Sequence, residues 1–535
     1  MWKDRDVTAN LAELLARAAE DSSDRVALVD AGSGRRITWG ELDESVSRVA
    51  AGLAGQGLVA GNRVVIATAN RVEFAVAYLA VLRARLVAVP VNPRSATGEL
   101  VRMVADSGAR LIIADSTTIS SARAVARGLH EALEGSDPEL RARAGDPRLV
   151  GLDCAVEAGE VSFEDLLAAT PVALPEARDP EALAVLLYTS GTSGRPRAAM
   201  LSHRALLANL EQAAEVQPPM LGRDDVVYGV LPLFHVYGLN AVLGQVLRQQ
   251  ARLVVADGFD PEGSLDDIAA HAVTVLPVAP PVLAAWRSVD RVRERLAGVR
   301  VLMSGSAPLS PELVLETTET TGLTVHQGYG LTEAAPVVTS TLCSAEAKPG
   351  SVGSALPGVR LRLVDDSGAE PESGDPGEIH VAGANLFDGF WPDGADGPVD
   401  GWLATGDVGY LDPDGDLFLV DRLKELIIVS GFNVYPTEVE EVVRDVDGVL
   451  EAAVIGVPDD ATGEAVVAYV RTDRADSDKG ALADAVREHC ARSLARFKQP
   501  TRIEVVDALP LTVTGKVARG RLRATVRRQN LGLIE

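Results

Sequence analysis

The sequence predicts an α/β fold. A large N-terminal domain carries mixed, partly parallel sheets sandwiched by helices and includes a β-rich part, and a small α+β C-terminal domain follows. Three observations support this. The chain has 535 residues, 47% of them apolar, which exceeds one ordinary core and supplies material for two. From about residue 64 to residue 327, short apolar runs alternate with stretches of 3.6-residue periodicity, as strands crossed over by helices do. After about residue 350 the runs shorten and Gly, Pro and Asp turns crowd between them, as in an antiparallel unit.

Each element follows in order. The opening "MWKDRDVTANLAELLARAAED" is charged and reads as a soluble helix rather than a signal peptide. "VVIATA", "ARLIIAD", "LAVLLYT", "DVVYGVLPL", "ARLVVAD", "VTVLPV" and "RVLMSGS" read as buried strands, and "EFAVAYLAVLRA" as a crossover helix. "SHRALLANLEQAAE" is a helix with Ser202 at its cap. In the β-rich part, about 350–422, "VRLRLVDD", "GEIHVAG" and "GDLFLVDR" are short strands. The character changes again after "DRLKELIIVSGFNVYP". Pro436 opens a helix with Glu438, Glu440 and Glu441 near its positive end. Two strands, a helix near 481–494, the strand "TRIEVVDALP" and a basic helical tail complete a domain spanning 423–535, against 1–422 for the first.

Composition excludes several functions. A net charge of −25 argues against nucleic acid as a partner. No apolar run reaches the length of a membrane span. Cys154, Cys343 and Cys490 are odd in number and widely spaced, which suits a reducing cytoplasm rather than a disulfide or metal framework. Lysine occurs only six times among 51 basic residues. A Lys at an informative position therefore points to ammonium chemistry that Arg does not supply.

The stretch "LLYTSGTSGRPRAAMLSH" carries the first chemistry. Thr189, Ser190, Thr192 and Ser193 surround Gly191 and Gly194, between a strand and a helix, and Arg197 follows. Backbone N–H groups, hydroxyls and a fixed cation together suit a polyphosphate. The Walker A spacing is absent, so a P-loop kinase or GTPase is disfavoured. Asp407 follows Thr405 and Gly406, and a turn carboxylate there can accept both hydroxyls of a ribose. Tyr329, flanked by Gly328 and Gly330, can lie flat on an adenine. Glu333 can share a magnesium ion with phosphate oxygens.

These motifs, in this order, resemble the adenylate-forming enzymes, and specifically acyl-CoA synthetases of the fatty acid and 4-coumarate type. The resemblance covers nearly the whole chain. It implies that "LLYTSGTSGRPRAAMLSH" is the phosphate loop, with Arg197 where the family usually has Lys, and that "PLFHVYG" places His235 and Tyr237 at the acyl pocket. It makes "SGSAPLS", with Ser306, Ala307 and Pro308, the pocket wall. It makes "QGYGLTE", with Gln327, Gly328, Tyr329, Gly330, Thr332 and Glu333, the adenine and magnesium segment. Asp407 and Arg422 become ribose partners and Lys424 the hinge. Gly431, Phe432 and Asn433 flank the coenzyme A tunnel, and Lys516 in "LPLTVTGKVARGRLR" is the catalytic lysine.

The implied substrates are a small carboxylic acid, ATP with Mg2+, and coenzyme A. The acid is already ionised at neutral pH, so it attacks the α-phosphorus without a base and pyrophosphate leaves. Lys516, Arg197 and the loop amides would stabilise the charge that gathers. The C-terminal domain would then rotate, and the thiol would attack the mixed anhydride. The expected acid is a medium- or long-chain fatty acid, with an aryl acid of the 4-coumarate type as the alternative. A ligase that loads a carrier protein is disfavoured by the compact span between Glu333 and Asp407. A non-catalytic nucleotide-binding protein is the reading outside this class. The sequence leaves a monomer and a homodimer both open.

Overall fold

All seven apolar runs expected as strands enter sheets. The computed structural model describes residues 8–135, 137–175, 177–190, 196–307, 309, 311–365, 368–372, 374–422, 427–473, 478–510, 522 and 526. One sheet runs in the order Val161–Ser162, Arg148–Leu152, Leu111–Asp115, Arg63–Ala67, Val87–Pro90, Leu183–Ser190, Pro196–Ser202. Its strands are parallel up to the final antiparallel pair. In the second sheet Val325–Gly330, Val301–Ser304, Val275–Val278, Val226–Gly229, Arg252–Val255 and Val26–Asp30 lie parallel in that order.

The period-2 alternation of each strand divides the core into layers. Val64 and Ile66 face a central layer, whereas Val65 and Ala67 face the outside of their sheet. Leu28 and Leu253 face the same central layer, while Val29 and Val254 face the opposite side. Helices Trp39–Gly55, Val72–Arg83 and His203–Ala214 fill the centre. In Val72–Arg83 every residue but Glu73 and Arg83 is buried, as a helix covered on both sides requires. Ser202 caps His203–Ala214 by accepting from the Ala205 N–H.

The β-rich part is joined to the second sheet by strand pairing. Val337–Ser340 pairs with Val325–Gly330 on one edge and with Ser351–Ala355 on the other. The strands up to Leu417–Arg422 thus extend the second sheet antiparallel. Turn residues mark where strands end, and they carry no information about which edge the next strand joins.

In the C-terminal part Pro436 begins the helix Pro436–Arg444, as expected. Strands Phe432–Val434, Ile427–Val429, Gly463–Arg471 and Glu451–Asp459 form a sheet, with Arg502–Val506 added parallel to Gly463–Arg471. Lys479–Ser493 is the expected second helix. The basic tail lies almost wholly outside the described residues. Among the described residues no helix is long and apolar enough to cross a membrane.

Candidate active site

Parallel strands place their carboxyl ends side by side, which is where α/β sheets bind ligands. The ends of Val275–Val278, Val301–Ser304 and Val325–Gly330 open into one cavity. Thr189, His235, Tyr237, Ser306, Ala307, Gln327, Gly328, Tyr329, Gly330, Thr332, Glu333, Asp407, Gly431 and Asn433 all line it. The fold thus gathers, around one space, residues read from six separate motifs. Ser306 holds φ at 73°, a left-handed conformation that costs a non-glycine residue energy and is concentrated at functional sites.

On one side the cavity is polar. The Tyr329 hydroxyl donates to Asp407 Oδ2 at 2.7 Å, and the Asp407 N–H donates to Thr405 Oγ1 at 3.1 Å. Asp407 and Arg422 are direct cross-strand partners, although 14 residues separate them in the chain. Gln327 is buried, its N–H donating to Thr341 Oγ1. Thr332 and Glu333 share a short 3-10 turn. No group of three His, Cys, Asp or Glu side chains that could hold a metal occurs among the described residues. A single carboxylate beside a polyphosphate site fits magnesium, which is bound largely through phosphate oxygens and water.

The other side is apolar. His235 precedes the π-helix Tyr237–Gly244, a wide turn that often marks functional sites. The Tyr237 N–H donates to His235 Nδ1 at 3.3 Å. Burial pushes the His235 imidazole down to about 4, so it stands neutral at pH 7. Burial also raises the Tyr237 phenol. Asn240, fully buried, donates to the Leu206 and Ala335 carbonyls and ties the π-helix to its neighbours. Met220, Leu221, Val227, Val242 and Val275 line the apolar wall. The sequence reading missed them because each is also an ordinary core residue.

Arg197 lies on the strand Pro196–Ser202 opposite Thr189, but it does not line the cavity. Its Nη1 donates to Asp396 at 2.6 Å, and its guanidinium lies 3.9 Å above the Phe390 ring. The acidic and aromatic groups of the 388–402 loop therefore compete for the cation. Ser190 is described as strand backbone. Gly191, Thr192, Ser193, Gly194, Pro308, Lys424 and Lys516 lie outside the described residues, and Arg422 is described only as backbone.

The C-terminal part reaches the cavity through a two-residue turn. Ser430 and Gly431 have φ of 52° and 84°, the left-handed pair that a tight hairpin between Ile427–Val429 and Phe432–Val434 demands. A side chain on Gly431 would start 3.4 Å from Ser306 Cβ, an ordinary van der Waals distance, so the turn lies directly against the wall and the glycine answers to its positive φ. Phe432 stacks on Phe234 with centroids 6.0 Å apart and planes at 12°.

Comparison with known proteins agrees with this geometry. Residues 15–391 match the family model of the AMP-binding enzyme, and residues 438–516 match that of its C-terminal domain. The chain is 36% identical to 4-coumarate–CoA ligase 5 of Oryza sativa subsp. japonica, over 94% of this chain and 92% of the relative. It is 34% identical to a long-chain-fatty-acid–CoA ligase of Yersinia pestis, over 97% and 95%. Among solved structures, the amide bond synthetase McbA of Marinactinospora thermotolerans superposes with a TM-score of 0.82 at 28% identity, covering 96% of this chain and 99% of that one. The o-succinylbenzoate CoA synthetase of Bacillus subtilis, bound to a product analogue, reaches 0.80 at 27%, covering 96% and 98%. ATP-bound MatB of Rhodopseudomonas palustris reaches 0.69 at 34%, covering 97% and 99%. Matched in both domains and along nearly all its length, the chain belongs to the AMP-binding enzymes and, within them, to the adenylate-forming CoA ligases.

Proposed function

We propose that the enzyme activates a medium- or long-chain fatty acid to its acyl-adenylate and passes the acyl group to coenzyme A. The observation that carries this reading is the continuity of one cavity. Its lining includes Asp407 and Tyr329, His235, and the apolar Met220 and Leu221. A flexible Met suits a chain of variable shape. The ionised carboxylate of the acid attacks the α-phosphorus of ATP, the bond to the bridging oxygen breaks, and pyrophosphate leaves. Asp407, with Arg422 opposite, orients the ribose, and Tyr329 covers the base. The neutral His235 walls the carboxylate end without adding charge. Arg197 and Lys516 stabilise the phosphoryl charge. Glu333 would hold magnesium, and the ion would supply positive charge to the phosphate oxygens.

In the second step the thiol of coenzyme A attacks the acyl carbon, its proton is lost to solvent, and AMP leaves. The turn at Ser430–Gly431 and Asn433 would flank the thiol's path. Lys424 would be the hinge on which the C-terminal domain moves between steps. MatB shares more sequence with this chain than the succinylbenzoate synthetase does, yet superposes less well over nearly the same share of it, 97% against 96%. Two rigid bodies held in a different relation would produce that pattern.

A second reading, an aryl acid of the 4-coumarate type, is favoured by the plant ligases among the relatives. Ligation of coenzyme A to acids of C2 to C18, benzoate and cinnamates separates the two. Best use of C8 to C18 acids supports the fatty acid reading, and best use of cinnamates overturns it. In the same assays Lys516→Ala should reduce adenylation about 100- to 1000-fold and leave thioester formation from supplied acyl-adenylate near wild type. Acyl-adenylate that accumulates with coenzyme A present, and leaves only on a carrier-protein thiol, would point to the carrier-loading reaction.

A further inference from the structure

Away from the cavity, a lysine and two glutamates are buried together where the C-terminal part meets the first domain. Lys498 is 8% exposed, Glu438 4% and Glu99 7%. Lys498 Nζ donates to Glu438 Oε1 at 2.7 Å and to Glu99 Oε1 at 3.0 Å. Lys498 and Glu438 belong to the C-terminal part, Glu438 in the helix Pro436–Arg444. Glu99 lies in the helix Thr97–Ser107 of the first domain. In formal charges the three side chains sum to one negative, and Glu438 Oε2 has no hydrogen-bond partner. Such an arrangement is expensive to bury.

Its location suggests what it does. Phe497, next to Lys498, packs on Phe432 with centroids 4.6 Å apart. Phe432 in turn stacks on Phe234 of the first domain and follows directly on the turn against Ser306. A continuous line of contacts therefore joins the Glu99 carboxylate to the mouth of the cavity. Any rotation of the C-terminal part would keep Lys498 with Glu438 and separate both from Glu99.

We propose that Glu99 and Lys498 are positioning residues for the second half-reaction: their ion pair holds the 430–433 turn against the acyl cavity, and thioester formation proceeds only while the pair is made. This rests on the two-step reaction proposed above. Adenylation, performed in the other arrangement, does not use the pair.

The test reads the two half-reactions separately in Glu99→Lys, Lys498→Glu and the exchanged double variant. Each single charge reversal is expected to slow thioester formation from supplied acyl-adenylate and coenzyme A tenfold or more. Acid-dependent ATP–pyrophosphate exchange should stay within twofold of wild type, which also reports that each variant is folded. The double variant restores opposite charges with the same sum, and is expected to return thioester formation to within threefold of wild type. Equal loss in both half-reactions, unchanged thioester formation, or no recovery in the double variant would overturn the proposal.

Hydrogen–deuterium exchange without substrate gives a readout independent of the reaction. In Glu99→Lys, segments 430–433 and 494–499 should exchange faster than in wild type, and unchanged protection would sink the proposal. An enzyme that activated no acid in the screen would refute the proposed function, yet this measurement would still report the pair.

Discussion

At the residue scale, Arg197 shows how the fold gives a side chain partners that its sequence motif does not name. Its charge after a Ser/Thr/Gly loop predicts phosphate binding. The folded chain holds it by Asp396 and Phe390. Only Nη1 is bonded to Asp396, and a guanidinium has five donors, so phosphate and Asp396 can both be served. Arg197→Ala is expected to raise the KM for ATP about tenfold and to leave the use of preformed acyl-adenylate unchanged, as measured by the two half-reactions. An unaltered KM would return the segment to a connector.

Buried histidines yield a pH prediction at the same scale. His203 Nδ1 accepts from the Leu11 N–H at 3.2 Å, and burial pushes this imidazole down to about 4. The unfolded chain binds the proton at about pH 6.5. Stability contributed by neutral His203 is therefore full above pH 6.5 and lost as pH falls toward 4. His203→Gln should be less stable than wild type at pH 7. The gap should narrow by about 2 kcal/mol at pH 5, as read from urea midpoints.

At the scale of elements, the π-helix shapes the acyl side, and its register rests on Gly238. A Cβ there would collide with the Pro232 carbonyl oxygen, and backbone cannot yield as a flexible side chain can. Gly238→Ala is expected to destabilise the protein by about 3 kcal/mol, at the upper end for overpacking. It should also raise the KM for the acid more than that for ATP. Thermal unfolding and initial rates measure the two effects, and a neutral substitution would mean that the π-helix tolerates a shift. The strands and crossover helices, by contrast, were legible in the sequence because alternation and 3.6-residue periodicity arise from local geometry. A π-turn follows from the packing of neighbours such as Asn240 against Leu206 and Ala335, which no window of the sequence contains.

At the scale of the whole molecule, the reaction we propose needs two arrangements of one chain. Lys424 is the proposed pivot. Proline there locks φ near −65° and prevents reorientation. Lys424→Pro is expected to preserve one half-reaction and to reduce the other 100-fold or more. ATP–pyrophosphate exchange and thioester formation from acyl-adenylate are the readouts. Equal loss of both in a folded variant would make Lys424 an ordinary surface lysine.

The family, the order of the motifs and the layered α/β architecture could all be read from the amino acids alone. They depend on residue type at short spacing and on strand and helix periodicity. Asp407 with Tyr329, and Gly431 with Ser306, became neighbours only through the fold. Their proximity depends on which strand pairs with which, and turn residues do not encode that. The antiparallel extension of the second sheet was likewise decided by edge pairing. So was the burial of Lys498 between Glu99 and Glu438: residues 99 and 498 are too far apart in the chain for any local pattern to relate them. Their attraction acts only once packing has excluded the water that would screen it.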